Sequence, residues 1–183
     1  MCSRAWWHWH ISNFRPVKRV RDIVRTFAAV AAQVPSALVM VGDGPDRVVA
    51  EEEARLLGVE SSVFFLGKID TVAPLLAAAD LFLLPSDRES FGLSALEALA
   101  CGVPVIGARA GGIVEVVTEG KTGTLHEVGD TGAMAASAIE ILSDDARWRR
   151  MSTAAAADAR ARFSLDAIVA QYEALYDVTL RQR

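Results

Sequence analysis

Six short apolar runs, separated by polar loops and helical stretches, constrain this 183-residue chain more than any other feature. The first is a strand end at HISNF, from His10. The others span Ala37 to Val41, Val63 to Leu66, Leu81 to Leu84, Val103 to Ile106 and Thr124 to His126. Several are apolar at successive positions, as in strands buried on both faces of a parallel sheet. Between the first two, Pro16 suits the first turn of a helix, and Val17, Val20, Val24, Phe27, Ala28 and Ala31 recur at helical spacing. A second helix from Asp46 to Leu57 stops at Gly58, and shorter ones lie near Val72 to Ala79 and Glu115 to Val117. The alternation predicts an α/β fold with a doubly wound, parallel, six-stranded Rossmann-like sheet. Thr131 to Arg183 is helical, broken at Ser143-Asp144-Asp145 and Phe163-Ser164, where Ser and Asp can cap new helices.

In such a sheet the ligand lies in the crevice at the carboxyl ends of the strands, near the point where the strand order reverses. The loops after the first five strands are SNFRPVKR, GDGP, GKID, SDRESFG and ARAGG, and all five fall on that one edge. The richest is PSDRESFGLSALEALACGVPVIG, from Pro85 to Gly107. Ser90, Phe91 and Gly92 stand where its loop becomes a helix, so their amides are among the unpaired donors that favour an anion. Glu89 and Glu97 are eight residues apart, about 12 Å of rise on one continuous helix. Glu89 therefore reads as a loop residue near the phosphate end, and Glu97 as reaching a more distant part of an extended ligand.

Composition narrows the partners. Apolar residues make up 52% and charged residues 23%, with a net charge of −4, against general nucleic-acid binding. Locally, Arg4 to Arg25 holds six Lys or Arg against the single acid Asp22, a basic segment available for a compact anion. Cys2 and Cys101 cannot build a disulfide framework, and Cys101 reads as a small buried packing residue. Without a transmembrane run or a secretion signal, the expectation is a cytoplasmic protein. His8 and His10 alternate on a strand and would share a face; the structural reading outweighs a metal pair, and no metal site is expected. His126 reads as a surface or strand-end residue. Gly42-Asp43-Gly44 does not complete a dinucleotide fingerprint.

ESFGLSALE, ACGVPVIG and GGIVEVV, in collinear order with ISNFRPVKRV, VGDGP and FFLGK over about His10 to Asp145, resemble the family 4 retaining glycosyltransferases. Their GT-B fold has two Rossmann-like halves around a cleft, and this chain is similar to the carboxyl-terminal, nucleotide-sugar-binding half. Within the family, ISNFRPVKR and FLLPSDRESFGLSALEALACGVPVIG most resemble the enzymes that transfer N-acetylglucosamine to L-malate at the start of bacillithiol assembly. The resemblance implies a UDP-N-acetylglucosamine donor and no cofactor or metal. Glu89 would bind donor-sugar hydroxyls and stabilise charge at the anomeric carbon, and Lys18 would face the diphosphate. The main chain at Phe91, Gly92 and Leu93 would hold that diphosphate, and Glu97 the ribose hydroxyls. Asn13 stands where many relatives have an arginine, with Arg15 as a replacement charge; Arg19 and Arg21 read as a solvated helix face. Gly42 would let the backbone pass close to the donor, and Gly67, Lys68 and Ile69 would meet the base.

The organisation expected is an aromatic leader over 1–9, a nucleotide-sugar-binding domain over 10–163 and a crossing helix over 164–183. Because a GT-B enzyme takes its acceptor on the amino-terminal half, a fragment, a truncated product or one partner of a split enzyme is expected, with an apolar face of Leu165, Ile168, Tyr172, Leu175 and Tyr176 exposed or packed differently. The alternatives are a stand-alone, non-catalytic nucleotide-sugar-binding module, or a family 4 fragment with another donor and acceptor. An oligomer is left open.

Overall fold

The computed structural model describes residues 5–181. In chain order the elements are β1 Trp6–Ile11, α1 Val20–Ala31, β2 Ser36–Val41, α2 Arg47–Leu56, β3 Val63–Gly67, α3 Ala73–Leu76, β4 Leu81–Leu84, α4 Leu93–Ala100, β5 Val105–Ala108, α5 Ile113–Val116, β6 Gly123–His126, α6 Thr131–Leu142, α7 Asp145–Phe163 and α8 Leu165–Arg181. The strands form one sheet, ordered β3-β2-β1-β4-β5-β6, with every neighbouring pair parallel. One face is closed by α1, α2 and α6, and the other by α3, α4 and α5. Helix α7 seals both: Met151 belongs to the first core, Ala155 and Ala159 to the second. As expected, side chains at the breaks cap the late helices, Asp144 accepting from the Ala146 and Arg147 amides and Ser164 from that of Ala167.

The aromatic leader is not a leader from Trp6 onward. Trp6 to Trp9 belong to β1, the strand that pairs with β2 on one side and β4 on the other. Trp6 and His8 sit with the α1 side and Trp9 with the α4 side, so the period-2 alternation of a strand sends large rings into two different cores. Trp6 packs edge-on to Trp148 of α7 at 5.3 Å. These rings need no core of their own because a central strand fills the cores of its neighbours. Met1 to Arg4, Cys2 among them, lie outside the described residues.

Two local departures follow from backbone chemistry, and a third concerns the burial of one side chain. The helix predicted from Pro16 begins at Val20, because Pro16–Lys18 form a short 3-10 turn ended by Arg19 at φ 49° and ψ 46°. Arg19 is the one described non-glycine residue at positive φ, a conformation that costs roughly 1 kcal/mol or more and tends to occur at functional loops. Strand β5 starts at Val105, two residues late, since Pro104 has no amide for the ladder and contributes only its carbonyl, to Phe82 at 2.9 Å. Cys101 is exposed rather than buried; partial burial and the Glu97 charge push its thiol up.

Arg19 and Arg21 are not a purely solvated face. Arg19 pairs with buried Asp22 at 2.5 Å, and Arg21 and Arg25 hold buried Glu53 of α2 at 3.2 and 2.6 Å. No described helix is long and apolar enough to cross a membrane.

Candidate donor-binding site at the sheet reversal

The strand order turns back between β1 and β4, so the loops after these two strands lie side by side at the carboxyl edge. They are joined by a main-chain hydrogen bond from the Asp87 amide to the Val17 carbonyl, 3.0 Å. Directly beside it, Lys18 Nζ donates to Glu89 Oε2 at 2.7 Å, with the two side chains 17% and 13% exposed. Residues 71 apart in sequence thus form a charge-assisted pair across the reversal. The 3-10 turn and the left-handed Arg19 place Lys18 there, since a helix continuing from Pro16 would carry it elsewhere.

Glu89 is fixed from behind. The Gly112 amide donates to its carbonyl at 2.8 Å, and a Cβ on Gly111, which has φ +69°, would lie 2.0 Å from that oxygen. A Cβ on Gly112 would lie 2.4 Å from the Ser90 carbonyl. The ARAGG turn is therefore glycine-rich because the Glu89 loop rests directly on it.

Helix α4 begins at Leu93 with Gly92 as its N-cap at φ 94°, so Ser90 and Phe91 lie in the loop before it, and no side chain caps it. The amides from Leu93 into the first turn are the ones offered to an anion. Ser90 and Leu93 are exposed, while Phe91 packs edge-on to Phe163 at 5.8 Å and ties the head of α4 to the end of α7. Glu97, one turn into α4, is exposed. Asn13, Arg15 and Lys68 are exposed on the loops after β1 and β3. Ile69 is half-buried against the core on the α4 side. Gly67 accepts from the Gly42 amide at 2.7 Å, and a Cβ on Gly42 would lie 1.8 Å from the Ser12 carbonyl. The crowding that demands glycine at position 42 comes from this neighbouring loop.

His10 and Ser12 were not picked out as site residues from the sequence. His10 Nδ1 lies 2.8 Å from the Leu83 carbonyl and Nε2 lies 2.6 Å from Ser12 Oγ. A carbonyl only accepts, so Nδ1 carries the proton and the Ser12 hydroxyl donates to Nε2. Burial lowers the ring to about 4, opposed by the Leu83 hydrogen bond and reinforced by the Lys18 charge, so it is neutral. His8, equally buried, is lowered to about 3 and packs edge-on to Phe27. Both His10 nitrogens are occupied, which supports the structural reading of that ring. Among the described residues no three His, Cys, Asp or Glu side chains gather as a metal site. His126 ends β6 with Nε2 3.1 Å from Thr124 Oγ1. A separate hollow of about 480 Å³, lined by Lys121, Asp144, Arg147 and Arg150 among others, flanks the start of α7 rather than this rim.

Residues 9–158 match the family described as Glycosyl transferases group 1. The chain is 50% identical over 172 residues to N-acetyl-alpha-D-glucosaminyl L-malate synthase of Bacillus anthracis, covering 94% of this chain and 45% of the relative. It is 35% identical over 180 residues to D-inositol 3-phosphate glycosyltransferase of Corynebacterium glutamicum (strain R), covering 91% and 42%. In three dimensions it matches Anabaena Alr3699/HepE in complex with UDP, with a TM-score of 0.87 and 29% identity over 95% of this chain and 49% of that one. The chain spans about half the length of these proteins. The family match across most of the sheet and the identity to the Bacillus enzyme lead to one conclusion: this chain belongs to the glycosyl transferases group 1 family.

Proposed function

We propose that the chain is the donor-binding half of a retaining glycosyltransferase that moves N-acetylglucosamine from UDP-N-acetylglucosamine to L-malate. The observation that carries this reading is the Lys18–Glu89 pair at 2.7 Å, set across the sheet reversal at the head of an uncapped helix. Lys18 supplies a fixed cation for the diphosphate leaving group, whose growing negative charge it meets without reorganisation. The α4 amides take the remaining phosphate oxygens. Glu89 holds donor-sugar hydroxyls and balances positive charge at the anomeric carbon, and Glu97 accepts from the ribose. Before the donor arrives, the two opposite charges satisfy each other, so binding exchanges one partner of Lys18 for another. The identity to the Bacillus synthase supports the sugar and the acceptor, and the UDP held by Alr3699/HepE supports the nucleotide. The reading assigns the acceptor pocket to the part of such an enzyme that this chain does not include.

Calorimetry with UDP and UDP-N-acetylglucosamine, followed by a transfer assay with L-malate and a separately supplied amino-terminal half of a relative, tests the proposal. Micromolar UDP binding with malate-dependent UDP release supports it. Binding without transfer in any mixture favours a stand-alone nucleotide-sugar-binding module, and absence of UDP binding refutes both.

A further inference from the structure

We propose that His10 is a positioning residue for the donor site: its imidazole, held between the Leu83 carbonyl and the Ser12 hydroxyl, fixes the spacing of the two loops that bring Lys18 to Glu89. The role rests on the donor-binding reading above and deepens it. Leu83 is the penultimate residue of β4, two residues before the Glu89 loop opens at Pro85, and Ser12 is the first residue after β1, at the root of the Lys18 loop. The two contacts, 2.8 and 2.6 Å, therefore bridge the roots of both loops through one rigid ring. That ring is fully buried and flanked by Phe14 at 6.1 Å and Phe82 at 6.3 Å, one from each side of the reversal.

Ser12 is held on every side. Its amide donates to the Val41 carbonyl at 3.1 Å, its own carbonyl presses on Gly42, and its hydroxyl is turned to His10. A hydroxyl that donates to Nε2 keeps its lone pairs for other donors, next to the exposed Asn13. His8 provides the internal contrast: two residues earlier on the same strand and equally buried, it has no polar partner on either nitrogen. Burial on β1 thus does not by itself require both bonds. An apolar residue of the same size would fill the space at position 10, but only an imidazole donates at one nitrogen and accepts at the other across this gap.

The test uses the chain itself. Long-range 15N–1H spectra are expected to show His10 in the Nδ1-protonated tautomer, which is the minor form of free histidine. In calorimetry, His10→Phe is expected to weaken UDP binding roughly tenfold, the effect of two neutral hydrogen bonds, and Ser12→Ala roughly threefold. The double variant His10→Phe with Lys18→Ala is expected to lose less than the product of the two single losses, because both act through the placement of one cation. A packing role alone predicts the full product. If His10→Phe does not fold, the tautomer and Ser12→Ala decide. An Nε2-protonated ring, or folded variants that bind UDP within twofold of the wild type, overturn the role alone. A wild-type chain that ignores UDP overturns the donor reading and this role with it.

Discussion

The two buried histidines make stability depend steeply on mild acid. Folded His8 and His10 are lowered to about 3 and about 4, whereas in the unfolded chain both return to about 6.5. The unfolded state therefore takes up protons first. The contribution of the neutral rings is fully present above the unfolded value and is lost as the pH falls toward the folded values. A pH of 5 lies about 1.5 units below the unfolded value and still above both folded values, a loss of about 2 kcal/mol per histidine and about 4 kcal/mol for the pair. That is a large fraction of the 5 to 15 kcal/mol typical of a domain. Urea unfolding at pH 7 and pH 5 measures it: with a slope of about 2 kcal/mol/M the midpoint should fall by roughly 2 M. Asp144, held low by the Arg147 and Ala146 amides, and Asp158, held low by Arg162 and Lys121 against its burial, titrate below this window and do not contribute to it. His8→Leu isolates one ring: it should halve the acid loss and raise stability at pH 7, since neither His8 nitrogen has a partner. An unchanged midpoint between the two pH values, or a His8→Leu chain as acid-sensitive as the wild type, would refute the reasoning.

Lys18→Ala and Glu97→Ala should each weaken UDP binding by about 10- to 100-fold, as loss of charge-assisted bonds implies, while Glu89→Gln should leave UDP within about threefold because its proposed partners are on the sugar. Equal losses for all three in calorimetry would break that division of labour. Gly111→Ala should cost at least about 2 kcal/mol and impair UDP-sugar binding more than UDP binding, since its Cβ meets the Glu89 carbonyl at 2.0 Å; thermal melts and calorimetry on one sample separate the two effects. Ending the chain after Ser164 should change stability by less than about 1 kcal/mol, because α8 has no buried residue and leaves Leu165 and Leu180 77% and 69% exposed. A loss above about 2 kcal/mol would mean that α8 contributes to the fold.

The sheet was legible because its strands are apolar runs bounded by glycine, proline and polar turns, and their order along the chain fixes which loops share the carboxyl edge. The Trp6 to Trp9 run was misread for a physical reason. A cluster of aromatic side chains looks coreless when the chain is taken in order, yet the first strand of this topology lies at the centre of the sheet, where residues 30 to 142 positions later surround it. Cys101 failed in the opposite sense: a small residue at the end of a helix reads as packing inside, but it is the exposed C-cap of α4.

The site divides along the same line. The charged side chains proposed for the rim were named without coordinates, Glu89 and Glu97 from the loop-to-helix pattern and Lys18 from the family resemblance. What aligns them could not be, because much of it is backbone and the rest is a buried ring that bridges two loops. Gly111 is a glycine on account of the Glu89 carbonyl, Gly42 on account of Ser12, and Lys18 reaches Glu89 only because Arg19 accepts a left-handed conformation. The two glycine contacts join loops far apart in sequence, the Arg19 turn is local, and all three act through shape rather than charge. If the donor reading is right, changes at these supporting positions should act through the geometry of the Lys18–Glu89 pair. Their effects on UDP affinity should then be strongly non-additive with Lys18→Ala, while distant core substitutions should remain additive with it.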